Sequence, residues 1–175
     1  MADALPDLIA PNLAVLFCGI NPGLLAAGTG HHFAGRANRF WRVIHLAGFT
    51  AEEIRPEHDR QILVHRCGLT TVVKRPTARA DELSREDFTG AATELKRKVD
   101  RYRPRYVAFL GKAAFAALSG RREVIWGPQP GPGLEGSVVW LLPNPSGRNR
   151  SFTLDRLVEA YHRLYLVACQ GTALR

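Results

Sequence analysis

The sequence is poor in sulfur and short of acid. Its 175 residues hold three cysteines, one methionine, and 16 Asp and Glu against 24 Lys and Arg. Cys18, Cys67 and Cys169 are odd in number and far apart. They fit neither a disulfide framework nor a zinc site of paired cysteines, and a four-thiolate iron–sulfur cluster lacks ligands. Reduced, structural thiols are expected. No apolar run nears the roughly 20 residues that span a bilayer. Residues 1–13 carry acids and prolines where a secretory signal has a basic stretch and then an apolar one. The adjacent His31-His32 pair has diverging side chains and no carboxylate nearby in sequence. No metal and no cofactor is therefore expected. Repeats and low-complexity segments are absent. These gaps predict a soluble, cytoplasmic, monomeric protein with one domain over residues 1–175 and no membrane partner.

What is present is a net charge of +8 and an apolar fraction of 46%, enough for a core. The charge suits a polyanionic partner through counterion release, and equally a solubilising surface. Residues 13–18 read as a buried strand, 19–35 as a long loop, and 38–47 as a helix facing inward through Phe40, Trp41, Ile44 and Ala47. A short helix at 60–66 and a strand at 69–73 follow, then a turn at Lys74-Arg75-Pro76-Thr77. Ser84 and Asp87 resemble a capping box that opens one long helix through Phe88, Ala92, Leu95, Val99 and Tyr102. Strands at 106–110 and 138–142 flank a short helix at 112–118. Residues 144–150 form a loop, and Leu154, Leu157, Val158, Tyr161, Leu164 and Tyr165 mark a last helix. The alternation predicts a three-layer α/β/α sandwich around a mostly parallel central sheet. Both long loops follow strands, so both should open onto the carboxyl edge where such sheets bind ligands.

Common motifs fail. Gly28-Thr29-Gly30 lacks the rest of a dinucleotide fingerprint, Gly111-Lys112 lacks the flanks of a P-loop, and Ser146 lacks the glycines of a nucleophile elbow. Two loops remain. Gly19-Ile20-Asn21-Pro22-Gly23 is either a plain Asn–Pro turn or a tight path presenting one polar side chain. Asn144-Pro145-Ser146-Gly147-Arg148 is either a surface turn or a place where backbone closely approaches a partner. Together, on one expected edge of a basic protein, they favour phosphate or nucleic-acid contact.

These two loops, with Gly28-Thr29-Gly30-His31-His32-Phe33 and Asn38-Arg39-Phe40-Trp41, closely resemble the mismatch-specific uracil/thymine DNA glycosylases of the uracil-DNA glycosylase superfamily. Arg66-Cys67-Gly68, Gly111-Lys112 and Leu157-Val158-Glu159-Ala160-Tyr161 extend the resemblance over roughly residues 13–165. It implies a uracil-DNA glycosylase-like fold and monofunctional hydrolysis of the N-glycosidic bond of uracil. Thymine and ethenocytosine are further bases within the family's range. The implied substrate is double-stranded DNA with a G·U or G·T mismatch, from which the base is flipped. The resemblance makes Asn21 the catalytic, water-positioning residue and puts Ile20 and Phe33 in the base pocket. It makes Gly23, Asn144, Ser146, Gly147 and Arg148 DNA-binding, with Arg148 as the wedge that fills the vacated gap. This chain has Ala26 where relatives have serine, Thr71 where one has lysine, and Asp81 where one has asparagine. Asp81 is an acid/base candidate, or simply an acid placed near a helix N-terminus. A non-catalytic mismatch-binding module of the same fold stays open. So does a small-molecule nucleotide-binding domain, against which the missing phosphate fingerprint and the basic charge argue.

Overall fold

The computed structural model describes residues 5–171. Strand β1 (Val15–Gly19) is the buried run Val-Leu-Phe-Cys-Gly. It is followed by a short helix, α1 (Leu24–Thr29). Helix α2 (Phe40–Leu46) is opened by Asn38, whose Oδ1 accepts the Phe40 N–H. A 3-10 segment (Pro56–His65) leads to β2 (Cys67–Thr71). A second 3-10 turn (Ala80–Glu82) precedes α3 (Arg85–Phe88) and α4 (Ala91–Tyr102). Then come β3 (Tyr106–Leu110), α5 (Lys112–Ser119), β4 (Gly127–Pro128), β5 (Val138–Leu142) and α6 (Leu154–Tyr165).

The sheet order is β2-β1-β3-β5-β4, parallel except for β4. Alternate residues of each strand feed two cores. Phe17, Leu69, Ala108, Leu110, Trp140 and Leu142 pack with α2 and α6 on one face. Cys18, Val107, Phe109, Val139 and Leu141 pack with Leu95 and Val99 of α4 and Ala114 of α5 on the other. The three-layer α/β/α expectation holds. No helix is long and apolar enough to cross a membrane among the described residues. Cys18, Cys67 and Cys169 form no disulfide, and burial pushes the Cys18 and Cys67 thiols far above the ordinary thiol range, so both are inert.

Several local expectations need correction. The loop expected at 19–35 contains α1, six residues long, whose alanines at 26 and 27 are buried. The strand expected at 69–73 begins two residues earlier, in register with β1 from Val15 opposite Cys67. The long helix expected from Phe88 is two helices. Gly90 sits at φ +77, a left-handed conformation that ends the first helical run and caps the start of α4. Strand β4 was not expected at all.

The order places a switch point between β1 and β3, since the chain goes from β1 to one side and returns to the other. Crevices at such points, outside the carboxyl ends of the strands, are where α/β sheets bind ligands. The segments after β1, β3 and β5 meet there. A side chain at Gly111 would touch both Ile20 and Asn144, each 3.8 Å away.

Candidate active site

A cleft of about 810 Å³ opens at that point. Ile20, Asn21, Gly23, Phe33, Asn144, Ser146, Gly147 and Arg148 all line it. The structure thus gathers every residue that the resemblance assigned to base or DNA contact. A second cavity of about 280 Å³ lies away from them, between α4, α5 and the segment before β5.

Asn21 follows β1 in the tight Asn–Pro turn. Its Nδ2 donates to the Arg75 carbonyl at 2.9 Å and to Thr77 Oγ1 at 2.8 Å. Thr77 is buried, and its own hydroxyl proton goes to the Arg79 carbonyl at 2.7 Å. Both neighbours of the amide therefore act as acceptors, which fixes its NH2 toward them and leaves Oδ1 open on a side chain that lines the cleft. No protein donor occupies Oδ1 among the described residues. Such an oxygen can accept from a water and aim it, and it cannot take a proton at neutral pH. Arg75 is itself held by a bidentate pair with Asp87, 2.7 and 2.8 Å. That guanidinium and the Ser84 backbone N–H hold the Asp87 carboxyl far below the usual carboxylate range.

Phe33 supplies the cleft with an aromatic wall. One ring face stacks on buried Phe40, centroids 4.1 Å apart and planes at 24°, and Trp41 meets it edge-on. Its φ of +55 costs a non-glycine residue about 1–2 kcal/mol. The preceding residue bears that strain through three bonds. His32 N–H donates to Asp59 Oδ2 at 2.9 Å, its Nε2 meets the Pro6 carbonyl at 2.7 Å, and its own carbonyl accepts from Trp41 Nε1 at 3.0 Å. A carbonyl only accepts, so Nε2 carries the proton. Burial lowers the His32 pKa, so the ring is neutral at pH 7.

The loop at 144–150 is held from below. Tyr161 of α6, fully buried, donates to the Pro143 carbonyl at 2.9 Å where β5 ends. Arg39 grips the loop through its carbonyls. Nε donates to Pro145, Nη2 to Ser146 and Asn149 at 3.0 Å each, and Nη1 to Phe152 at 2.8 Å. Within the loop, Ser146 N–H donates to Asn144 Oδ1 at 2.9 Å, and Asn149 Nδ2 to the Asn144 carbonyl at 2.9 Å. A Cβ on Gly147 would lie 2.6 Å from the Ala37 carbonyl oxygen, so only glycine lets the two loops close on each other. Arg148 stands exposed at the tip with no carboxylate within 4.0 Å among the described residues.

Asp81 is placed differently. It belongs to the exposed 3-10 turn beside the cleft, not to the lining. Arg79 binds both of its carboxylate oxygens. This bond, and more weakly the charge of Arg148, lowers its pKa below the usual carboxylate value. It is ionised at neutral pH and its oxygens are already engaged.

Reading the sequence missed Thr77, Arg75 and Arg39 as positioning groups. The first two lay in a stretch read only as a turn. Arg39 lay in a motif that was noticed but given no role.

Residues 6–164 match the model of the uracil DNA glycosylase superfamily. The chain belongs to the uracil DNA glycosylase superfamily. A solution NMR structure from Methanosarcina acetivorans, described provisionally as a uracil DNA glycosylase, is similar to it. The likeness covers 93% of this chain and 98% of that one, with a TM-score of 0.61 and 24% identity. At that identity it speaks to the fold.

Proposed function

We propose that this superfamily member is a mismatch-specific DNA glycosylase that hydrolyses the N-glycosidic bond of uracil flipped out of a duplex, opposite guanine. The observation that carries the reading is the fixed amide of Asn21, its acceptor oxygen presented to a cleft that Phe33 walls. A base in a duplex hides its glycosidic carbon, so it must be everted before attack. A weak G·U or G·T pair lowers the cost of opening. Arg148, at the tip of a loop pinned by Arg39 and Tyr161, fills the gap and faces the strand left behind. Gly147 and Ser146 bring backbone against the widowed guanine.

In the chemical step the bond from N1 to C1′ breaks, and its electron pair leaves with uracil as an anion. The sugar passes through a cation-like state. A water held by Asn21 Oδ1 forms the new bond to C1′ and gives its proton to solvent. The departing anion takes up a proton in turn. Asn21 positions the water and does not act as a strong base, so most of the acceleration comes from stabilising the leaving anion. Phe33 stacks on the everted pyrimidine. Asp81, ionised and held by Arg79, is outside the reaction and shapes the rim next to Arg148. Thymine and ethenocytosine are further substrates under this reading.

Single-turnover release from matched duplexes tests it. Uracil opposite guanine should leave faster than uracil opposite adenine. Equal rates from both would remove the mismatch preference. Tight duplex binding without release would favour a mismatch-binding module instead.

A further inference from the structure

The wedge loop is continuous with a second surface that the reaction does not use. Strand β4 runs antiparallel at the outer edge of the sheet, with Gly127 opposite Leu141. Trp126 therefore sits beside the carboxyl end of β5, on the same edge as the cleft. Its ring meets Phe152 edge-on, centroids 5.5 Å apart at 82°. Phe152 lies two residues past Arg150, and its carbonyl is one of those gripped by Arg39. Two cations rest on this aromatic pair. Lys112 Nζ lies 4.6 Å from the Trp126 centroid, and Arg156 Cζ lies 4.7 Å from that of Phe152.

Neither cation has a carboxylate within 4.0 Å among the described residues. Arg42, Arg97 and Arg163 elsewhere on the surface do. Trp126 is 42% exposed and Ile125 58%, whereas Trp41 and Trp140 are buried. The segment leading into Trp126 adds Arg121 and Arg122 against a single acid, Glu123.

We propose that Trp126 and Phe152, with Lys112 and Arg156 held over their rings, form a contact strip for the sugar–phosphate backbone of the duplex beside the flipped nucleotide. This rests on the reading of the cleft edge as a DNA-binding face. The chemistry matches part by part. Phosphates take the two cations, and the apolar faces of the sugars take the exposed indole. A cation on a ring is held in place yet keeps its charge for an outside anion, whereas one in an ion pair must first break it. An acidic protein segment would meet the cations but would show no dependence on duplex length beyond the lesion.

Trp126 is the exposed one of three tryptophans, so acrylamide quenching reports on it selectively. Binding of a U·G duplex extended well past the lesion should shield that fluorescence, and a duplex trimmed to the lesion should not. The shielded component should vanish in Trp126→Phe. In the Lys112→Gln/Arg156→Gln double variant the dependence of log K on log salt should flatten by about 1.8, or about 0.9 for each phosphate no longer neutralised. Quenching unchanged by the long duplex, together with an unaltered salt slope, would overturn the strip even if uracil is released. Shielding by a wild-type protein that releases no base would support the strip and count only against the chemistry proposed above.

Discussion

The two loops that build the cleft are held in opposite ways. After β1, the side chain of Asn21 is the thing being held, since its amide is locked to Arg75 and Thr77. After β5, the backbone is held, by Arg39 and Tyr161, and the tip side chain Arg148 is left exposed. One loop fixes a functional group, and the other fixes a platform from which a group can reach. Chemistry on a bond needs the first, because a misplacement of about 1 Å can cost about 100-fold. Filling a gap in a duplex needs the second.

That contrast can be broken at graded points. Asn21→Ala should lower single-turnover uracil release by about 100-fold or more, the scale of losing the positioning of a reactant, while duplex binding persists. Phe33→Ala should weaken retention of the flipped base by about 2 kcal/mol, roughly 30-fold, as for other base–aromatic stacks. Titration with a duplex carrying a non-cleavable uracil analogue would show it. Arg148→Ala should slow release about tenfold from a paired uracil and hardly at all from an unpaired one, because under the proposed reading Arg148 acts as the base is extruded. A similar loss from both substrates would break the division of labour between the loops. Arg39→Lys should follow the Arg148 pattern with a smaller effect, since one ammonium cannot reach all the carbonyls that the guanidinium spans.

The smallest expected effect concerns Asp81. Asp81→Asn should leave the release rate unchanged between about pH 6 and pH 9, because the carboxyl titrates well below that window. Acid should instead act on the fold beneath Asn21. Asp81 and Asp87 have depressed pKa values in the folded state, through Arg79 and Arg75 respectively. Their contribution is full above the ordinary carboxylate range near pH 4 and is lost as pH falls through the depressed values. Amide exchange or melting followed from about pH 5 to pH 2 should show the 75–88 segment loosening, and Asp87→Asn should remove much of that pH dependence.

Much of the layered architecture was legible because burial writes itself into sequence as continuous apolar runs. β3 and β5 fall where Tyr106–Leu110 and Val138–Leu142 predict them. The stripe of α6 was equally clear, since Leu157, Tyr161 and Leu164 are fully buried. β4 was not legible. It is a Gly-Pro pair whose only strand signal is its pairing with Trp140 and Leu141. The break at Gly90 was hidden because Phe88 and Leu95 pack into the same core on either side of it. In the site, Asn21 and Phe33 stood out in short local motifs. Their supports did not, because Arg75 and Thr77 reach Asn21 across more than 50 residues and Arg39 reaches its loop across more than 100. No local pattern encodes such contacts.

The central claim is that the Asn21 amide oxygen aims the attacking water at the sugar of an everted uracil. Single-turnover release from one U·G duplex, measured side by side for the wild-type protein and Asn21→Ala at saturating enzyme, tests it most directly. The account predicts efficient release by the wild type and a loss of about 100-fold or more in the variant, with duplex affinity kept. Equal rates from the two proteins would contradict it.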